Sequence, residues 1–206
     1  MGCSVFILAE TSNAIHCDQT RALSATPRLA DSAWHEFGRK LTDVADYLAQ
    51  AGLRMAYHHH LGTVVESQQD LDHFLKSTGQ AVGLTVDTGH AALGGIDALK
   101  LIRDHPLRVA HVHCKDIRSR VFHQVKSESQ SFLNGVISGM FTVPGDGDLE
   151  FAAVMQALAK IGYAGWIIVE AEQDPAVATP KVYAALGLKT LRRAASAANL
   201  HEMEPS

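Results

Sequence analysis

Twelve histidines stand among 206 residues, and half of them lie where short apolar runs break into polar sequence. One such break is Tyr57-His58-His59-His60-Leu61-Gly62-Thr63. Three more are Asp87-Thr88-Gly89-His90, His111-Val112-His113-Cys114-Lys115-Asp116 and Glu170-Ala171-Glu172-Gln173-Asp174, and Glu10-Thr11 closes the first apolar run. Imidazoles mixed with carboxylates suit Mn, Co, Zn or Fe(II), whereas an all-oxygen set would suit Mg. Asp87 and Glu170 end otherwise apolar strands, where a carboxylate needs a cation or hydrogen-bond donors to offset its desolvation. A single histidine at a strand end is more often structural, His59 could simply be exposed, and Asp87 before Thr-Gly-His could cap the next turn. Four such ends together point to a metal site.

These residues meet only if the elements carrying them run in parallel. Strand-like runs cover Ser4 to Ala9, Leu53 to His58, Val82 to Val86, Val109 to Cys114 and Trp166 to Val169. Between them lie helical stretches. One starts near Ala33 behind Asp31 as N-cap, carries Phe37, Leu41, Val44, Ala45 and Leu48 on one face, and ends at Gly52. Another starts at Ser67, which with Asp70 resembles a capping box, and stops at Gly79. Further helices are expected from Asp97 to Arg103, Ser127 to Ser138, Leu149 to Ile161 and Thr179 to Ala197. Strands alternating with helices give an α/β fold with a parallel sheet and right-handed crossovers, its strand ends opening on one face. Along each strand, alternation puts His58 and His60 on one face with His59 opposite, and pairs His111 with His113. Five βα units are countable, and a closed (β/α)8 barrel takes about 250 residues or somewhat fewer. The chain therefore reads as one domain over 1–206, either an open five-stranded sheet or the later part of a TIM barrel.

Other functions fit poorly. Apolar residues make up 47% and charged residues 19%, which is globular composition rather than disorder. A net charge of −4 offers no footprint for nucleic acid, and Arg192-Arg193 reads as a solvated helix face. No apolar run approaches the roughly 20 residues of a membrane span. The opening MGCSVFILAE lacks a signal peptide's basic flank and cleavage site. Cys3, Cys17 and Cys114 are odd in number without a CxxC pair, which predicts small buried residues in a reducing cytoplasm. No G-x-G-x-x-G, P-loop lysine motif or G-x-S-x-G elbow is present. Pro144-Gly145-Asp146-Gly147-Asp148 lacks the spaced acidic residues of a calcium loop and reads as a turn at the rim of the site.

Taken with Val143-Pro144-Gly145-Asp146-Gly147, the four histidine and carboxylate motifs resemble those of the inosose dehydratases. These belong to the xylose-isomerase-like superfamily of TIM-barrel sugar isomerases and epimerases. The resemblance runs from Phe6-Ile7-Leu8-Ala9-Glu10-Thr11 to the last helix and implies a partial (β/α)8 barrel beginning at the fourth strand, without the first three βα units. It implies a divalent metal, Mn or Co, held by His58 (or His60), Asp87, His113 and Glu170, with a His where the superfamily usually has Glu. It further implies loss of water from a small polyhydroxy ketone to give a dione. His60, His90 and Glu10 are then candidates for proton transfer, and Lys115 for holding a hydroxyl or enolate oxygen. Glutathione is a further cofactor in the family, and a homo-oligomer is compatible with it. The rival readings are a sugar isomerase or epimerase, which would share the enediolate stage, and a non-catalytic barrel fragment.

Overall fold

The computed structural model describes residues 2–202; Met1 and residues 203–206 of the expected domain lie outside the described residues. The strands are β1 (Val5–Leu8), β2 (Arg54–His58), β3 (Val82–Asp87), β4 (Val109–Cys114), β5 (Asp116–Ile117), β6 (Phe141–Thr142) and β7 (Ile167–Val169). The helices are α1 (Trp34–Gln50), α2 (Gln68–Ser77), α3 (Thr88–Gly94), α4 (Ala98–Asp104), α5 (Ser119–Ser127), α6 (Phe132–Ile137), α7 (Phe151–Lys160) and α8 (Pro180–Ala197).

Strands β1-β2-β3-β4-β7 form one sheet in that order, each pair parallel. The sheet curls without closing: a half-barrel, as expected of part of a (β/α)8 barrel. Its central strand β3 is buried at every position and near-continuously apolar, the pattern of a strand covered on both faces. Leu41, Ala45, Leu71, Phe74, Leu101, Ile102, Val154, Leu158 and Leu191 bring the helices down onto Met55, Val82, Leu84, Val86 and Val112. A second apolar cluster lies around the loops beyond the strand ends and includes Leu61, Phe132, Met140 and Phe141. The edge strand β1 leaves Phe6 and Ile7 43% and 41% exposed, the kind of unpaired apolar edge that invites association. No described helix is long and apolar enough to cross a membrane.

Several expectations are corrected. Asp31 opens a short 3-10 turn, and α1 starts at Trp34 with no side-chain cap, because Ala33 holds the cap position. The helix expected over Ser127 to Ser138 shrinks to α6, behind a separate and unexpected α5. Helix α5 ends at Ser127, Ser129 takes the left-handed φ of 53°, and Ser131 caps α6 by accepting from the Asn134 N–H. Helix α3 and the antiparallel β5–β6 pair were not anticipated. Cys114 is buried as expected, but Cys3 and Cys17 are exposed. At α2 the Ser67–Asp70 capping box is complete in both directions.

Candidate metal centre

Register brings the site together. A β-bulge separates Leu84↔Val109 from Thr85↔His111, so the β4 partner of Asp87 is His113 where an unbroken ladder would put Val112. One extra residue in a strand re-aims every later side chain, and here it puts His113 level with the Asp87 carboxylate. One strand over, the Glu170 N–H donates to the Cys114 carbonyl, carrying the β4–β7 ladder one residue past β7. On the other side His58 is the β2 partner of Thr85.

Asp87 divides its two oxygens. Oδ1 accepts the His90 N–H at 2.9 Å and so caps α3, while Oδ2 has no hydrogen-bond partner. Oδ2 lies 3.4 Å from His58 Nε2, 3.6 Å from His113 Nδ1 and 3.7 Å from Lys115 Nζ. His113 Nδ1 is in turn 2.9 Å from Glu170 Oε2. His58 Nε2, Asp87 Oδ2, His113 Nδ1 and Glu170 Oε2 are buried without a hydrogen bond of good geometry. Buried polar atoms in native proteins are nearly always paired, so such atoms at close range form groups that could hold a metal ion. The ligand atoms of Asp87, His113 and Glu170 lie within 4.8 Å of one another, as do those of His58, Asp87 and His90.

Beside this group sits Lys115, wholly buried. Its Nζ is 2.8 Å from Glu172 Oε2, 2.9 Å from His90 Nε2 and 3.5 Å from Glu170 Oε1, and it lies 4.8 Å above the Phe141 ring. Gly89 makes room for the stem: a Cβ there would meet Lys115 Cγ, Cβ and Cδ at 2.8–2.9 Å. Thr88 Oγ1 fixes the backbone, donating to the Lys115 carbonyl and accepting its N–H.

Electrostatics follow from burial working against these neighbours. Burial alone would raise the Asp87 carboxyl, but the Lys115 ammonium and the nearby histidines hold it well below the usual carboxylate range. Burial would lower Lys115, yet Asp87, Glu172 and Glu170 keep it raised and charged. His113 also resists burial, because Asp87 and Glu170 raise it to about 9. Burial and then the charge of Lys115 push His90 well down, and burial lowers His60 to about 4. Both rings are thus neutral near pH 7.

His60 falls beyond β2 in a loop tied by its own N–H to the Val65 carbonyl and by the Thr63 hydroxyl to the His60 carbonyl. Its ring approaches His90 (3.7 Å between centroids) and Glu172 (3.9 Å), whereas His58 is the one beside the Asp87 carboxylate. His59 is buried, not exposed, and both its ring nitrogens lack partners. Among the described residues Glu10 joins none of these groups; its carboxylate accepts instead from the backbone and hydroxyl of Ser12. Glu172 was not anticipated as a site residue, and its signal is the two-residue spacing from Glu170, which repeats a strand face.

The family profile described as xylose isomerase-like TIM barrel matches residues 5–194. The rhizopine catabolism protein MocC of Rhizobium meliloti is 43% identical over 198 residues, 96% of this chain and 61% of that protein. An inosose dehydratase of Geobacillus kaustophilus is 40% identical over 196 residues, 94% of this chain and 64% of that protein. The chain thus spans a little over three-fifths of the length of these relatives. A zinc-bound IOLI protein shares the fold with a TM-score of 0.60 at 16% identity, over 98% of this chain and 66% of that one. A D-tagatose 3-epimerase-like protein does so with 0.57 at 16% identity, over 92% and 64%. With its parallel half-barrel and its strand-end cluster, this chain belongs to the xylose isomerase-like TIM-barrel family.

Proposed function

We propose that this chain carries the centre of a metal-dependent dehydratase acting on 2-keto-myo-inositol (scyllo-inosose), in the cytoplasm, with Mn or Co held by His58, Asp87, His113 and Glu170. The observation that carries the reading is the close group of Asp87, His113 and Glu170 atoms, of mixed imidazole and carboxylate type, with His58 beside Asp87. Similarity to inosose dehydratases supplies the substrate. A divalent cation supplies Lewis-acid polarisation of a ketone there.

The chain's own groups do the rest. His60 Nδ1 faces the Leu61 carbonyl at 2.7 Å and must donate to it, which leaves Nε2 with the lone pair. In this reading that nitrogen takes the proton from the carbon next to the ketone. Lys115 donates to the departing hydroxyl, which leaves as water, and Glu172 and His90 keep its ammonium in place. Phe132 and Phe141, packed against His60 and His90, keep bulk water from that wall.

Incubating the chain with scyllo-inosose and Mn²⁺ or Co²⁺ tests this. The expected result is metal-dependent growth of dione absorbance. Formation of an isomer without dione would replace dehydration by isomerisation or epimerisation, and no turnover by a folded, metal-loaded chain would contradict the reading.

A further inference from the structure

We propose that His60, His90 and Glu172 form a second cation site beside the first, filled in this chain by its own Lys115 ammonium. The inference rests on the metal-centre reading above. The ligand atoms of the three residues lie within 4.8 Å of one another, as compact a group as Asp87, His113 and Glu170. His60 is already in the tautomer a metal requires, with Nδ1–H turned onto the Leu61 carbonyl and Nε2 free. His90 meets a donor on each side, Leu61 N–H at 3.3 Å and Lys115 Nζ at 2.9 Å. Two of the three ligand atoms already face a cation, the Lys115 ammonium, with Nζ 2.9 Å from His90 Nε2 and 2.8 Å from Glu172 Oε2.

Charge balance explains why one occupant is organic. Asp87, Glu170 and Glu172 bring three negative charges to the cavity and Lys115 one positive charge. One divalent ion at the first site neutralises the remainder. A second divalent ion beside the ammonium would leave an uncompensated excess of positive charge in a buried site. The stem of Lys115 is correspondingly fixed, seated in the space left by Gly89 and against Phe141. The cavity thus presents one exchangeable and one fixed cation side by side, a pattern that selects ligands with adjacent oxygens, such as an α-hydroxy ketone.

The test is metal stoichiometry of the whole chain, by Mn²⁺ calorimetry and by metal content after gel filtration. Wild type is expected to take about one Mn²⁺, Lys115→Met about two, and Lys115→Met with Glu172→Gln about one again. Methionine keeps the stem volume, and its thioether is a poor ligand for Mn²⁺. A folded Lys115→Met chain that still takes one ion overturns the proposal. Should that variant not fold, Glu172→Gln alone decides: retention of one Mn²⁺ supports separate sites, and loss of that ion means a single shared site and overturns the proposal. Wild type that takes one Mn²⁺ without dehydrating inosose would sink the dehydratase reading and leave this one standing. Wild type that takes none would sink the metal centre and this inference with it.

Discussion

The carboxylate of Asp87 and the ammonium of Lys115 lie 3.7 Å apart with both side chains wholly removed from solvent. Such a pair is costly to desolvate and stabilises only when other partners complete it. Here Asp87 spends one oxygen on α3 and offers the other to the site, while Lys115 is shared among three carboxylates and a histidine. Fold and chemistry therefore depend on the same few atoms.

Asp87→Asn and Asp87→Ala separate the two duties. Asparagine still caps α3, so its variant should lose metal binding while keeping the helix. Alanine also loses the cap, worth about 1 kcal/mol, on top of roughly 3 kcal/mol for the broken buried pair. Chemical denaturation with metal titration checks both, and equal stability of the two variants would contradict the divided role.

Gly89→Ala should destabilise the chain despite alanine's better helix propensity. The added Cβ meets the fixed root of the Lys115 stem at 2.8–2.9 Å, and overpacking of this kind costs about 1–3 kcal/mol. Metal binding should persist and turnover should fall, as read by calorimetry and steady-state rates. Unchanged kcat would show that the seat of Lys115 does not matter.

His113 carries a pH dependence of definite sign. Asp87 and Glu170 hold the ring, against burial, at about 9 compared with 6.5 for an ordinary histidine. Its protonated form thus stabilises the metal-free chain fully below pH 6.5 and loses that contribution as pH rises through 9. A metal must displace this proton, so binding at pH 7 should release about one proton and tighten with rising pH. Calorimetry in buffers of different ionisation enthalpy reads the release; its absence would remove His113 from the ligand set.

Asp116 is the anchor of the loop that the sequence marks as Pro144 to Asp148. Its carboxylate accepts from Ile117, Gly145, Gly147 and Leu149 N–H groups at 2.8–3.1 Å. Asp116→Ala should cost roughly 3 kcal/mol or more, since several donors lose their partner at about 1–3 kcal/mol each when buried. Asp116→Asn should recover only part of this. Added calcium should change neither stability.

That His58, Asp87, His113 and Glu170 lie near one another is legible in the sequence because each is a polar residue at the end of an apolar strand, and parallel strands bring such ends together. Pairing is less legible. Alternation along β4 puts His111 and His113 on one face, but only the bulge decides that His113 meets Asp87. Helix α3 escapes notice because the residue that caps it, Asp87, carries the stronger signal of a site. Strands β5 and β6 are two residues each, too short for a period to show. Glu10 lies outside the histidine and carboxylate groups, and Ser12 two residues on engages its carboxylate. Glu172 shows the converse: its partner Lys115 is 57 positions away, and nothing local announces the pair.

Titrating the metal-free chain with Co²⁺ while recording its visible absorption tests most directly whether His58, Asp87, His113 and Glu170 hold one divalent cation. Saturation is expected at about one equivalent, with d–d bands of a mixed nitrogen and oxygen site that Asp87→Asn abolishes. The melting temperature should rise with metal, since a ligand at 100 times its Kd adds about 2.7 kcal/mol. A folded chain that binds no Co²⁺, or binds it equally well without the Asp87 charge, would contradict a metal centre at these residues.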